Sequence, residues 1–390
     1  MPKRFDVVIV GGGLIGASLA LALDQARLNA ALVEPHAAAL PPPDDRWDVR
    51  VYAISPGSAA FLESCGVWSR VPRERISRVE AMRVYGDEPG ARLEFSAYDA
   101  GLRELAFIVE NRLLQKALWE RLKRTPTLSL FWPARCSRIA WDAHEVVLGL
   151  EDGNELRSRL LIGADGADSW VRREAGIAAS PVSYGELGVV ANFEAEKRHH
   201  GIAYQWFRRD GVLALLPLPG NRVSMVWSTS EAHGRELLAL EAPALATQVT
   251  AASAQALGSL SLITAPAAFP LQLQRVAQFV RPRLALVGDA AHNVHPLAGQ
   301  GVNLGFRDAR ELVAVLRDRG VQTDCGDYFL LRRYERARRE DVAALQLTTD
   351  GLHRLFAHDS AWIARARNLG LTWVNALPPL KNMLVRRAVA

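Results

Sequence analysis

The chain is poor in the residues that staple, span or coordinate. Only three cysteines occur among 390 residues, Cys65, Cys136 and Cys325, and they stand singly and far apart. That excludes a disulfide framework and a cysteine-type zinc site, and suits a reducing compartment. No apolar run approaches the roughly 18 residues needed to cross a bilayer. The opening Met1-Pro2-Lys3-Arg4-Phe5 leads at once into strand-like sequence, so no cleavable leader is expected. No nucleophilic triad stands out. His292 and His295 are near neighbours, but no Cys, His or carboxylate cluster completes a shell, so a metal centre is not expected. There is no internal repeat and no long low-complexity tract.

Charge excludes a further class. The net charge of +5 comes from scattered basic residues without a recognition motif, which argues against a nucleic-acid partner. With 49% hydrophobic residues the composition is that of an ordinary soluble globular protein, long enough for two interleaved domains. Near the end, Arg365 and Arg367 mix with Leu369, Leu371, Trp373 and Val374, and Lys381, Arg386 and Arg387 follow. Such a segment suits a membrane surface or a packed terminal helix with a solvated basic face, and the second is the preferred reading.

What is present is a pattern of strands ending in glycine. Phe5–Val10 reads as a buried parallel strand, Leu14–Ala26 as a helix and Ala30–Val33 as a second strand, a βαβ opening. Pro41-Pro42-Pro43-Asp44-Asp45 marks a loop, and Ser55 is placed to cap a helix from Pro56 to Ser64. Val109–Lys123 has apolar residues at helical spacing. Then the character changes. Leu187–Phe193, Ala203–Phe207, Val212–Leu216 and Arg222–Ser228 read as short strands, with hairpin signals at Asp210-Gly211 and Gly220-Asn221. Leu284–Val287 returns to parallel-strand character, and from Asp308 the chain reads mainly helical. The fold class expected is α/β: a Rossmann-like nucleotide-binding domain with an inserted antiparallel β-sheet substrate domain and a helical C-terminus. The expected division is 1–75, 101–180 and 270–330 for the first domain, 76–100 and 181–269 for the second, and 331–390 for the helical region.

Three motifs carry the chemistry. Gly11, Gly13 and Gly16 fit G-x-G-x-x-G between strand and helix. This pattern gives a tight turn, a close approach to pyrophosphate and close helix packing. Glu34, at the end of the second strand, is placed to accept ribose hydroxyls. Gly163-Ala164-Asp165-Gly166 follows the strand Leu160–Ile162, and Gly288-Asp289 follows Leu284–Val287. An aspartate at a strand end can hold sugar hydroxyls, although Asp-Gly is also an ordinary turn and Asp289 also an ordinary helix cap. Beyond them Gly299, Gly301 and Gly305 would let a flat ring lie against bare backbone. Together the three describe a site for a long dinucleotide whose own ring does redox work, most often FAD.

The motifs in this order resemble the class A, single-component FAD-dependent aromatic hydroxylases, over most of the chain. Within that family, Arg50-Val51-Tyr52-Ala53-Ile54-Ser55 and the run from Gly288 through His295-Pro296-Leu297-Ala298-Gly299-Gln300-Gly301-Val302-Asn303 are similar to the ubiquinone-biosynthesis branch. So is the tail around Arg367-Asn368-Leu369-Gly370-Leu371. The resemblance implies FAD as the bound cofactor, held by Gly11, Gly13, Gly16, Glu34, Asp165, Gly166, Gly288 and Asp289, with Gly299, Gly301 and Asn303 beside it. It implies that Arg50 lies along FAD and that Arg112 reaches its phosphates or ribose. NADH or NADPH would be the transient donor, and dioxygen and a polyprenylphenol the substrates. Pro296 and Leu297 are expected to line the pocket, and Trp206, Leu215 and Phe269 to contribute. A cytoplasmic protein is expected, with attachment to the inner-membrane surface or to a biosynthetic complex left open. A flavin-dependent prenyl reductase, a hydroxylase of another aromatic substrate, and a non-catalytic FAD-binding member of a biosynthetic complex remain alternatives. Labelled dioxygen separates them.

Overall fold

The computed structural model describes residues 3–36, 46–87, 91–293 and 299–357. Its first layer is a sheet whose parallel strands run in the order Leu284–Leu286, Glu155–Gly163, Lys3–Val10, Ala30–Val33 and Ser129–Phe131. The central strands are continuous apolar runs because both faces are covered. Val7, Val8, Ile9, Leu160, Leu161 and Ile162 are fully buried. A hairpin, Cys136–Trp141 and Val146–Leu150, joins the amino-terminal half of Glu155–Gly163. All the parallel strands end on the same side. There they are knitted together: Gly11 N–H donates to Val33 C=O, Ala164 N–H to Val10 C=O, Val287 N–H to Gly163 C=O and Glu34 N–H to Phe131 C=O, at 2.8–3.0 Å.

The second layer is an antiparallel sheet built around Ala179–Ala195, Ile202–Arg208, Gly211–Leu218 and Arg222–Ser230, with Ala81–Tyr85 and Arg92–Ser96 added at one side. Its tight connections fall at the two hairpin signals. At Gly211 (φ +123°) a Cβ would sit 1.9 Å from the Ser228 carbonyl oxygen. Two features differ from expectation. The first strand is one long run from 179 to 195, not a short piece. The strand Ala267–Val276, which the expected boundary at 270 would cut, pairs along it throughout. Helices Glu231–Ala239 and Ala242–Ala252 cover one face of this sheet, burying Phe193, Met225, Trp227, Leu237 and Val249. The other face fronts a small sheet of Val51–Ile54, Ala106–Glu110 and Ser77–Val79, where Ala203, Leu216, Leu218 and Met82 meet Val51, Ala53, Trp47 and Ile108.

Helices Leu14–Gln25 and Gly301–Arg317 pack on each other behind the parallel sheet. The long helix Tyr328–Ala357 closes the described chain. Residues 358–390 of the expected helical region lie outside the described residues.

Candidate cofactor and substrate site

The site is built at the carboxyl ends of the parallel strands, where the strand order reverses direction around Lys3–Val10. Open α/β sheets bind ligands at such a point. Gly11 takes φ +108°, and a Cβ there would fall 2.4 Å from the Ala164 carbonyl oxygen. A Cβ on Gly16 would fall 1.9 Å from the Gly11 carbonyl oxygen. Gly13 is different in kind: nothing lies within 4 Å of its missing Cβ. It is also the N-cap of the Leu14–Gln25 helix and provides no side-chain cap. The first N–H groups of that helix therefore open onto this space.

The loop is gripped from two sides. Gly12 N–H donates to Glu34 Oε2 at 2.6 Å, and Glu34 Oε1 accepts from His36 N–H at 3.0 Å. Gln115 Nε2 and Trp119 Nε1 both donate to the Gly12 carbonyl at 3.0 Å. These two residues, one turn apart on the helix Asn111–Lys123, were not singled out from sequence. Their spacing within an apolar helix was the only signal available.

Asp165 supports the start of the short helix Trp170–Glu174, whose N-cap is Ser169. Its carboxylate accepts from the Ser169 hydroxyl and from Val171 N–H. Burial raises its pKa, and those two donors oppose the shift. Beside it Gly166 has φ +82° and open space at its Cβ position. Arg172, buried and also missed from sequence, donates to the Ala167 and Ala290 carbonyls at 2.8 and 3.0 Å, and so ties this turn to the Gly288 turn.

In that third turn Gly288 N–H donates to Asp308 Oδ2 at 2.9 Å, and His292 Nε2 lies 2.6 Å from the same oxygen. Asp308 Oδ1 accepts from Arg338 Nε at 2.8 Å. His292 is thus part of a buried network and not a simple turn residue. Asp289 faces open space but is crowded by protein. Its carboxyl is raised above the usual range by this desolvation, against the pull of His292 and Arg50. The Gly301–Arg317 helix starts alongside, its N-cap Gln300 again giving no side-chain bond. Gly299 takes φ +59° close to Ala53. Asn303 was expected beside the cofactor. It is fully buried, and its amide is spent on Ser55 N–H and the Ala53 and Gly299 carbonyls, at 2.9, 2.8 and 3.4 Å. That side chain holds the wall of the site, and what Asn303 has left to offer is its main-chain N–H in the first turn of the helix.

Arg50 and Arg112 come together through Asp48, whose carboxylate accepts both their main-chain N–H groups at 3.0 and 3.1 Å. The buried Glu110 accepts Asp48 N–H at 2.6 Å and a two-pronged contact from Arg75, and lies 3.4 Å from Arg112 Nε. The exposed Arg50 guanidinium sits 5.3 and 5.6 Å from the Tyr52 and Phe269 ring centres. Phe269 therefore lies beside Arg50.

Trp206 and Leu215 lie elsewhere. Strand alternation turns them to the helix-covered face, where both are buried and Trp206 stacks on Tyr85 and Tyr204. The opposite parity, Val190, Val226, Ala214 and Leu216, fronts the nucleotide side and is partly exposed. Period-two alternation gave both sets equally, and only the position of the helices distinguishes them. Pro296 and Leu297 lie outside the described residues.

No thiol competes as a reactive centre: burial pushes Cys65, Cys136 and Cys325 each up to about 12. What the site offers is backbone. Two uncapped helix N-termini, the empty places beside Gly13 and Gly166, and the cations of Arg50 and Arg112 fit an extended, doubly phosphorylated cofactor. Among the described residues no helix is long and apolar enough to cross a membrane.

Comparison with known proteins agrees with this geometry. The family described as FAD binding domain matches residues 4–348. A ubiquinone hydroxylase, UbiL, from Rhodospirillum rubrum is 37% identical over 99% of this chain and 90% of its own length. The 3-demethoxyubiquinol 3-hydroxylase of Escherichia coli is 36% identical over 98% of both chains. Among solved structures, PqsL of Pseudomonas aeruginosa, titled a probable FAD-dependent monooxygenase, superposes with TM-score 0.79 at 24% identity over 95% of this chain and all of its own. The p-nitrophenol 4-monooxygenase PnpA of Pseudomonas putida gives 0.80 at 18% identity, over 100% of this chain and 99% of its own. The chain belongs to the FAD binding domain family, as a class A FAD-dependent hydroxylase of the ubiquinone-biosynthesis branch.

Proposed function

We propose that this enzyme hydroxylates the aromatic ring of a polyprenylated phenol in ubiquinone biosynthesis, with NADH or NADPH as donor and dioxygen as oxidant. The observation that carries the reading is the junction itself. Three strand-end turns and two uncapped helix N-termini open toward a partly exposed apolar sheet face, with no reactive side chain between them among the described residues. FAD, when bound, supplies the electron transfer and the activation of oxygen.

The chain's own residues do the rest. Gly11, Gly13, Gly16 and Glu34 receive the adenosine diphosphate half, and Asp165, Gly166, Gly288 and Asp289 the remaining phosphate and sugar chain. Gly299 and Gly301 let the ring lie on backbone. Arg50 and Arg112 neutralise phosphate charge. The sheet face of Val190, Ala214, Leu216 and Val226, with Phe269, excludes water and holds the substrate ring in place. Its apolar character suits a prenyl-bearing substrate, and delivery of such a substrate places the enzyme at a membrane surface.

The test is incubation with reductant, a prenylphenol and labelled dioxygen, followed by mass analysis. One labelled oxygen in the product is expected. Product without label would indicate a reductase, and no product would leave a binding role or a different aromatic substrate.

A further inference from the structure

Asn192 and Ser224 are direct cross-strand partners on the sheet face that fronts the cofactor side. Both are fully buried, at 0% exposure. Asn192 Nδ2 reaches across to the Asp48 carbonyl at 2.9 Å. Among the described residues neither Asn192 Oδ1 nor Ser224 Oγ has a hydrogen-bond partner. Buried polar atoms are nearly always paired, and an adjacent pair of exceptions calls for a small polar occupant. Two residues along each strand, Val190 and Val226 form the next pair on the same face, and these are partly exposed. The spacing between such pairs is about 7 Å, comparable to one phenol ring with its oxygen.

We infer that Asn192 and Ser224 form the subsite for the ring hydroxyl of the substrate phenol. This deepens the function proposed above and rests on it. The Ser224 hydroxyl donates to the ring oxygen, the ring O–H donates to Asn192 Oδ1, and the ring lies over Val190 and Val226. A hydroxyl is no larger than a water molecule, so only the ring oxygen need reach the buried pair while the ring stays over Val190 and Val226. The subsite selects a free phenol over its ether, because an ether oxygen donates nothing to Asn192 Oδ1 and its methyl group is a further bulk to seat against a fully buried pair.

The test measures the dissociation constants of a prenylphenol and of its methyl ether on the full, FAD-loaded chain, read from the perturbed flavin absorption. Wild type should prefer the phenol by about tenfold or more. Ser224→Ala should weaken phenol binding by about five- to tenfold and leave ether binding within about twofold. Ser224→Thr, which keeps the hydroxyl, should restore the preference. Ser224 is the cleaner position because Asn192 also anchors Asp48. Equal binding of phenol and ether by wild type overturns the inference, as does an undiminished preference in Ser224→Ala, which would mean that the pair holds only a water. The two readings fail separately. Hydroxylation without the preference sinks the subsite alone, and the preference without oxygen incorporation sinks the hydroxylase reading alone.

Discussion

At the residue scale, two glycines of one motif make opposite predictions. Gly16 has no room for a side chain because the Gly11 carbonyl is 1.9 Å from its Cβ position, whereas Gly13 has nothing within 4 Å. Gly13→Val should therefore fold with a melting temperature close to wild type yet purify without flavin, the branched side chain filling the phosphate's place. Gly16→Val should lose both fold and flavin. A yellow, fully loaded Gly13→Val protein would refute the placement. Asp289→Ala should weaken FAD binding by about tenfold or more, the scale of one lost charge-assisted hydrogen bond. Stability should hold, since the carboxyl already sits raised by desolvation and the Asp289 main chain keeps its bond from Gln274. Titration of apoprotein with FAD, beside thermal melts, checks both. The glycines and Glu34 were legible because their constraint is local and repeats at fixed spacing. Gln115, Trp119 and Arg172 were not, because a side chain that reaches a distant carbonyl leaves no periodic trace.

At the scale of elements, the Gly301–Arg317 helix carries the most consequential charge. Burial alone would raise the Asp308 carboxyl. The His292 ring and the Arg338 guanidinium, both hydrogen-bonded to it, overcome that and hold it below the usual carboxylate range. A carboxylate so depressed adds stability that is fully present above its unfolded value, about 4, and is lost as pH falls through its lower folded value. Asp308→Asn should be less stable at neutral pH by about 3–5 kcal/mol, the cost of breaking a buried ion pair, and should lose less further stability than wild type below about pH 4. Denaturant midpoints at neutral and acid pH decide it, and parallel pH profiles would refute it. The hairpins were legible here from Asp210-Gly211 and Gly220-Asn221. The buried network was not, because Asp308 and Arg338 belong to separate helices. The assignment of Trp206 and Leu215 to the pocket failed for a related reason. Alternation fixes that two faces exist, and only the packed helices decide which is covered.

At the scale of the whole molecule, the order of elements announced a nucleotide domain interrupted by a sheet, but not that one later element bonds to both. The 30-residue helix Tyr328–Ala357 does so. Tyr334 donates to the Leu286 carbonyl at 2.9 Å and Arg338 holds Asp308, both on the nucleotide side. Farther along, Asp350 meets Tyr184 of the antiparallel sheet at 3.4 Å. Between them Gln346 Nε2 donates to Gln274 C=O at 3.1 Å and to Asn293 C=O at 3.2 Å, at the point where the sheet strand Ala267–Val276 bridges the chain leaving the Asp289 turn. Gln346→Ala removes that donor from both carbonyls, each of which keeps its main-chain bond across the Gln274–Asn293 bridge, at a cost of about 0.5–1.5 kcal/mol for each bond lost, while every residue assigned to FAD stays in place. FAD affinity should thus be nearly unchanged. The sheet face proposed to hold the substrate ring would be less firmly fixed over the cofactor, so more NADH or NADPH should be oxidised for each ring hydroxylated. Gln346→Glu keeps the size but sets a carboxylate against two carbonyls, and should be worse than alanine in the same ratio. Measuring NADH or NADPH consumed against hydroxylated product, beside FAD dissociation constants, tests the brace: a wild-type ratio in both variants, with destabilisation confirmed by melting, would mean that the helix supports the fold without setting the geometry of the reaction.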